Sequence, residues 1–126
     1  MRQDAKELID SAEEDFALSV NAFRWGYFRA SCFHAQQAIE KLLKAYLLLK
    51  TNRYPFIHDI TELIRNCMST DGEFEYLLEI KADKLDKYYV GARYPPILKV
   101  SKEEAGEAVD IARKAREFII RKMSIL

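Results

Sequence analysis

Apolar residues recur at three- and four-residue intervals along most of the chain, and this periodicity is what most constrains the fold. The longest such pattern covers residues 27 to about 50. Its apolar members fall on one broad side of a helical wheel: Ala38, Ile39, Leu42, Leu43, Ala45, Tyr46 and Leu49. No alternating run is long enough to predict a strand, and four glycines and three prolines leave few breaks. The sequence therefore predicts an all-α fold.

The same periodicity predicts three further long helices and one short one. They cover residues 5–23, 59–67 (the short helix), 74–89 and a last stretch that begins after Ser101. Asp59 with Glu62, and Ser101 with Glu104, have the spacing of capping boxes at helix starts. Four long helices with mostly short connections favour an antiparallel up-and-down bundle. We expect one domain over residues 1–126, with four long helices plus one short helix.

Charge and cysteine usage narrow the functional classes. The 20 Lys and Arg residues balance the 20 Asp and Glu residues, which disfavours a dedicated nucleic-acid binder but allows a local basic patch. Cys32 and Cys67 have neither zinc-site spacing nor the density of a disulfide scaffold, so we expect them to pack in the core of a cytoplasmic protein. The start of the chain is charged and no apolar run is long enough to cross a membrane, so neither a signal peptide nor a membrane span is predicted. The motifs of di-iron, zinc-hydrolase, P-loop and serine-hydrolase sites are absent, so we predict no metal and no cofactor.

Four polar residues of the longest helix lie at spacings of three, four and three: His34, Gln37, Lys41 and Lys44. This spacing places an imidazole, an amide and two ammonium groups along one stripe, opposite the predicted core side. Phosphate is a natural ligand for two such lysines. The alternative interpretation is an ordinary solvated helix face, where lysine is common.

A longer stretch of the sequence resembles a known family. GYFRASCFHAQQAIEKLLKAYLL followed by HDITELI is similar to the HEPN family, the "higher eukaryotes and prokaryotes nucleotide-binding" domain. The resemblance rests on His34-Ala35-Gln36-Gln37-Ala38, Glu40-Lys41, Lys44-Ala45, His58-Asp59-Ile60 with Leu63, and Ala92-Arg93-Tyr94-Pro95. It implies a compact antiparallel helical bundle, usually a homodimer, and in microbes often encoded beside a minimal nucleotidyltransferase as a toxin–antitoxin pair.

The resemblance leads us to expect a protein that binds a nucleotide or RNA, or that acts as the interaction partner of a minimal nucleotidyltransferase. Lys41, Lys44 and Arg93 could neutralise phosphate, and Tyr94 could stack on a base. His34 and Gln37 complete the predicted nucleotide-binding set. The alternatives are a helix-end cation for Arg93, a packing residue for Tyr94 and a hydrogen-bonded interface histidine for His34.

Two other functions stay open. Many HEPN proteins are metal-independent ribonucleases that use an Arg, four to six intervening residues and a His. Arg29 with His34 and Arg53 with His58 match this spacing, but Arg29 and His34 project roughly 140° apart on a straight helix. We therefore assign no catalytic residue. A third interpretation is a structural homodimerisation module in which the stripe contacts a second subunit.

Overall fold

Regular structure is helical throughout the computed structural model, which describes all 126 residues. The six α-helices are α1 Gln3–Arg24, α2 Phe28–Thr51, α3 Ile60–Met68, α4 Tyr76–Glu79, α5 Tyr88–Gly91 and α6 Lys102–Ser124. Two 3₁₀ turns, Gly72–Glu75 and Ala82–Lys87, lie on either side of α4. The predicted all-α class is confirmed. No helix combines the length and apolarity that a bilayer crossing requires.

The first two helices form a tight antiparallel hairpin. Its turn is short because Gly26 adopts a left-handed backbone conformation (φ 82°), which glycine reaches at no steric cost. Above the turn, the buried hydroxyls of Ser19 and Ser31 each donate to the backbone carbonyl of the other residue, at 2.8 and 2.7 Å. At the far end, Arg2 donates to the side chain of Asn52 at 3.1 Å. The two helices therefore lie side by side along their whole length.

Helix α6 runs antiparallel to α1. Near its start Gly106 lies against the ring of Phe23, and further along Arg116 Nε donates to Glu13 Oε2 at 2.8 Å. The side of α6 that faces the core carries four buried alanines: Ala105, Ala108, Ala112 and Ala115. These small side chains allow close helix packing, and α6 makes its most extensive contacts with α2.

The third leg of the bundle, which covers residues 72–91, differs from the sequence prediction. A continuous helix over residues 74–89 is replaced by two 3₁₀ turns and two single-turn α-helices, with Lys81 in the left-handed region (φ 64°). Leu77 and Ala82 are both fully buried but five residues apart, which would place them roughly 140° apart on one helix. Because the left-handed residue Lys81 interrupts the helix, the side chains of Leu77 and Ala82 can both lie in the core. The leg still runs antiparallel to α6, because Glu73 contacts Lys122 near the end of α6 and Tyr88 contacts Glu104 near its start.

The predicted helix starts are confirmed at α3 and α6. Asp59 accepts a hydrogen bond from the backbone N–H of Glu62 (3.2 Å), and Ser101 accepts one from that of Glu104 (3.0 Å). The Glu104 carboxylate does not return to the cap, as a full capping box would require; it accepts from the Tyr88 hydroxyl at 2.7 Å.

The core lies between α2, α3, α6 and the third leg. Phe74 is its aromatic centre, with ring centroids 4.4 Å from Tyr46 and 5.2 Å from Phe118. Cys32 and Cys67 are free and buried, which confirms their predicted packing role. Burial raises the pKa of the Cys32 thiol to about 11 and that of Cys67 still further, so neither is a ready nucleophile.

Candidate functional site

A cavity of about 820 Å³ lies at the hairpin end of the bundle, between the start of α2 and residues 92–100. Its charged and titratable lining consists of Arg29, His34, Arg93 and Lys99, beside the phenol of Tyr27. No Asp or Glu side chain lines it. The chain has no net charge, so this concentration of cations is a local feature. An anion is the ligand that such a cavity favours.

The far wall of the cavity is held in place by a close backbone approach at Gly91. The backbone N–H of Leu98 donates to the Gly91 carbonyl at 2.9 Å, which folds the following segment back over the start of α2. A Cβ at position 91 would lie 2.6 Å from Leu98 Cδ1. Glycine fits this contact without displacing Leu98, and the contact brings Arg93 and Lys99 to the cavity.

Arg93 is held at the cavity edge by aromatic rings. Its Nε donates to the Tyr89 carbonyl at 2.9 Å, and its guanidinium carbon lies 4.6 Å from the Tyr89 ring centroid and 5.1 Å from those of Phe33 and Tyr94. These cation–π contacts fix the guanidinium while leaving the residue exposed. Tyr94, predicted as a base-stacking residue, packs on Arg93 and does not line the cavity.

His34 lines the cavity and is anchored from behind by α1. Its Nδ1 lies 2.8 Å from Asp15 Oδ1, and the other carboxylate oxygen of Asp15 accepts from Lys41 Nζ at 2.6 Å. Lys41 also donates to the Ser11 hydroxyl at 2.8 Å. Burial acts to raise the pKa of Asp15, but the hydrogen bonds from His34 and Lys41 outweigh it and the pKa is lowered. Asp15 is therefore a buried carboxylate that stays ionised.

Lys44 belongs to a different, interior cluster. Its ammonium donates to Glu40 Oε2 at 3.0 Å, and both side chains are buried. The same Glu40 oxygen lies 3.0 Å from His58 Nδ1, while Oε1 accepts from Gln36 at 3.0 Å. Gln37 donates to Gln36 at 2.7 Å. The predicted stripe opposite the core side is wrong at Lys44, whose side chain is buried. The segment after α2 covers it, because Tyr54 lies against the Lys44 ammonium and His58 contacts its partner Glu40.

The structure thus brings together only part of the predicted nucleotide-binding set. His34 and Arg93 share the cavity; Lys41 supports His34 through Asp15; Gln37 and Lys44 lie in the interior cluster. Arg29 and His34, which a straight-helix projection separates, both line the cavity because it wraps around the first turns of α2. Neither Arg53 nor His58 lines this cavity.

Two residues of the site, Asp15 and Lys99, are not predicted from the sequence. Asp15 had a readable signal, since it falls on the same helical face as the buried residues Ala12, Ser19 and Ala22, where an unpaired carboxylate is costly. Lys99 had none, because its place at the cavity depends on the fold-back at Gly91. No group of three or more His, Cys, Asp or Glu side chains is arranged to hold a metal ion.

Comparisons with known proteins agree with this architecture. The HEPN domain model matches residues 5–123, so the chain belongs to the HEPN domain family. It is 29% identical over 130 aligned residues to "Putative toxin MJ1304" from Methanocaldococcus jannaschii, covering 91% of this chain and 85% of that protein. The crystal structure of TT1696 from Thermus thermophilus is similar with a TM-score of 0.83 and 29% identity, covering 96% of this chain and 99% of that one. ST0689, an archaeal HEPN homologue, shares the fold with a TM-score of 0.73 and 24% identity, covering 96% and 98% of the two chains.

Proposed function

We propose that this protein is a toxin-type HEPN protein that binds a nucleotide or RNA in the cavity at the start of α2. The observation that carries the proposal is the cavity's charge: Arg29, Arg93 and Lys99 line it together with His34, and no carboxylate does. Guanidinium and ammonium groups bind phosphate oxygens through charge-assisted hydrogen bonds. Its volume of about 820 Å³ lies within the range of small-molecule sites.

Aromatic side chains around the cations extend the proposal from phosphate to nucleotide. Tyr27, Phe28 and Phe33 line the same cavity, and Tyr27 is exposed. A base stacked on an aromatic ring contributes roughly 1–3 kcal/mol, largely independent of sequence. Phosphate contacts from the cations and stacking on these rings together favour a nucleotide or single-stranded RNA over a simple anion.

The other predicted site residues enter the proposal in supporting roles. The ammonium groups of Lys41 and Lys44 are paired with Asp15 and Glu40, and Gln37 donates to Gln36. In this proposal Lys41, Lys44 and Gln37 stabilise the packing of α2 against its neighbouring segments. The phosphates are contacted by Arg29, Arg93 and Lys99.

The test is fluorescence anisotropy with a short labelled single-stranded RNA, across a range of salt concentrations. We expect Arg29→Ala with Lys99→Ala to weaken binding and to lower the salt dependence by about 0.7 per lost phosphate contact. Lys114→Ala is the matched control, since this exposed lysine of α6 pairs with Asp110 and lies outside the cavity. Equal affinity of the double variant and the wild type would contradict the proposal.

The toxin class and the partners rest on relatives rather than on the cavity. Similarity to a protein named as a toxin supports the class. The family resemblance supports two further parts of the proposal, a homodimer and a minimal nucleotidyltransferase partner. Sedimentation equilibrium should give twice the mass of one chain, and a single-chain mass at all concentrations would contradict the homodimer.

Metal-independent ribonuclease activity is the second candidate, and one observation favours it. Arg29 and His34 line the same cavity, so a cation and an imidazole can face one phosphodiester. We expect cleavage of single-stranded RNA in the presence of EDTA, lost in Arg29→Ala and His34→Ala. Cleavage should be retained in His58→Gln, because the His58 ring contacts Glu40 and does not line the cavity. A wild-type protein that binds RNA but leaves it intact would exclude this candidate and keep the first.

A further inference from the structure

Asp15 uses its two carboxylate oxygens for two different partners. Oδ1 lies 2.8 Å from His34 Nδ1 and Oδ2 lies 2.6 Å from Lys41 Nζ, and the side chain is only 10% exposed. An ionised carboxylate can only accept hydrogen bonds. The proton of this contact must therefore be carried by Nδ1 of His34. In a neutral ring the other nitrogen, Nε2, then has no proton, and it has no hydrogen-bond partner within the protein.

We propose that Asp15 is a positioning residue: anchored by Lys41, it holds His34 in the tautomer whose unprotonated Nε2 is presented to the cavity. The inference deepens the proposed function, since it assigns His34 a role in that site. Arg29, Arg93 and Lys99 offer only donors. His34 is the acceptor among them, fitted to a hydroxyl or another donor of a bound ribonucleotide, or to a proton that leaves such a hydroxyl.

Because Lys41 holds one carboxylate oxygen of Asp15, replacing the other oxygen by an NH₂ group should change the tautomer of His34. In Asp15→Asn the side chain has one oxygen and one NH₂ group. The ammonium of Lys41 needs an acceptor, so the amide oxygen turns toward Lys41 and the NH₂ group faces His34. Nδ1 must then accept, and the ring proton moves to Nε2. In the double variant Asp15→Asn with Lys41→Met no ammonium holds the amide oxygen, and we expect the amide to rotate so that its oxygen accepts from Nδ1 again.

The experiment is ¹H–¹⁵N NMR of the imidazole rings, recorded at increasing pH until the ring signals no longer change. The chain has two histidines, and His58→Asn assigns the His34 signals. We expect the proton on Nδ1 in the wild type, on Nε2 in Asp15→Asn, and on Nδ1 again in the double variant. Asp10→Asn is the matched control, because the same substitution in α1 then falls on an exposed pair with Lys6 and leaves His34 unchanged.

A second readout links the tautomer to the ligand. Asp15→Asn should lower RNA affinity about ten-fold, the effect of replacing one acceptor by a donor, and the double variant should recover most of it. A general loss of structure would not be reversed by a second substitution. Should Asp15→Asn fail to fold, the wild-type spectrum alone decides the tautomer.

The outcomes separate this inference from the proposed function. A wild-type proton on Nε2, or no change in Asp15→Asn, overturns the positioning role even if RNA binds. The expected tautomers without any RNA binding keep the positioning role and overturn the proposed function. Both arms use the 126-residue chain, and the NMR arm needs no ligand.

Discussion

Lys41 and Lys44 are three residues apart on α2, yet their ammonium groups have different neighbours. Lys41 reaches across to Asp15 and Ser11 on α1, while Lys44 is buried against Glu40 on its own helix. Glu40 is the centre of the interior cluster, since it also contacts Gln36 and His58. At the scale of single residues, the acidic partner decides whether a lysine of this helix supports the cavity or the interior.

Removing Glu40 should be costly for the fold. In Glu40→Ala the ammonium of Lys44 stays buried without its carboxylate, and we expect a loss of about 3–5 kcal/mol in the free energy of unfolding. Urea denaturation monitored by circular dichroism measures this loss. Glu107→Ala is the control, because Glu107 pairs with Lys84 on the surface, where an ion pair contributes about 0–1 kcal/mol. Equal losses in the two variants would show that the Glu40 pair is not a buried one in solution.

At the scale of elements, the third leg shows how packing overrides helical propensity. Lys81 follows α4 in a left-handed conformation, and the next 3₁₀ turn places Ala82 and Leu85 in the core. A residue with a Cβ is destabilised by about 1–2 kcal/mol in this conformation, and glycine is not. The leg keeps the direction of a bundle helix although its hydrogen bonding is interrupted.

The left-handed conformation of Lys81 predicts which of two substitutions at this position gives the more stable protein. Lys81→Gly should be more stable than Lys81→Ala by about 1 kcal/mol, because relief of the left-handed strain exceeds the extra flexibility that glycine gives the unfolded chain. The same pair at Lys114, in the middle of α6, should show the reverse order by about 1 kcal/mol. Urea denaturation of the four variants checks both. If alanine were better at both positions, Lys81 would lie in a regular helix.

Across the bundle, carboxylates form hydrogen bonds and ion pairs between neighbouring segments. Asp15 links α1 to α2, Asp71 accepts from Lys122 of α6, and Glu104 of α6 accepts from Tyr88 of the third leg. The hydrogen bond from Lys122 lowers the pKa of Asp71, and that from Tyr88 lowers the pKa of Glu104. Asp86 behaves in the opposite way, since burial raises its pKa.

These shifts predict that acid weakens the fold. A carboxylate whose pKa is lower in the folded state contributes stability above its unfolded pKa, and that contribution is lost as the pH falls through the folded value. We therefore expect the free energy of unfolding to decline below about pH 4, the ordinary range of carboxyl groups. Asp86 offsets part of this decline, because its raised pKa favours the protonated folded state.

Lys122→Met tests the origin of the decline. Without the ammonium, the pKa of Asp71 returns toward its ordinary value, so stability should fall less steeply with acid although it is lower at neutral pH. Urea denaturation over a pH series measures the slope. Lys114→Met, an exposed change in the same helix, should leave the slope as in the wild type. Identical slopes for Lys122→Met and the wild type would remove Asp71 from the explanation.

The candidate site was less predictable than the fold. The sequence predicts His34 and Arg93 as nucleotide-binding residues, and both line the cavity. Helical spacing also groups Lys44 with His34, but spacing on one helix does not say which neighbouring segment will cover it. A helical projection treats α2 as an isolated rod and separates Arg29 from His34. In the structure a second wall around the first turns of α2 brings both residues to one cavity.

The amino-acid sequence alone predicts the all-α class, the long helices α1, α2 and α6, and the caps at Asp59 and Ser101. These depend on apolar periodicity and on side chains within a few residues of each other. Long-range packing, in contrast, sets the break at Lys81, the partners of Asp15 and Glu40, and the meeting of Arg29 with Arg93 and Lys99. Each of these requires segments distant in the chain to pack together, because burial and pairing of charge are settled only when those segments meet.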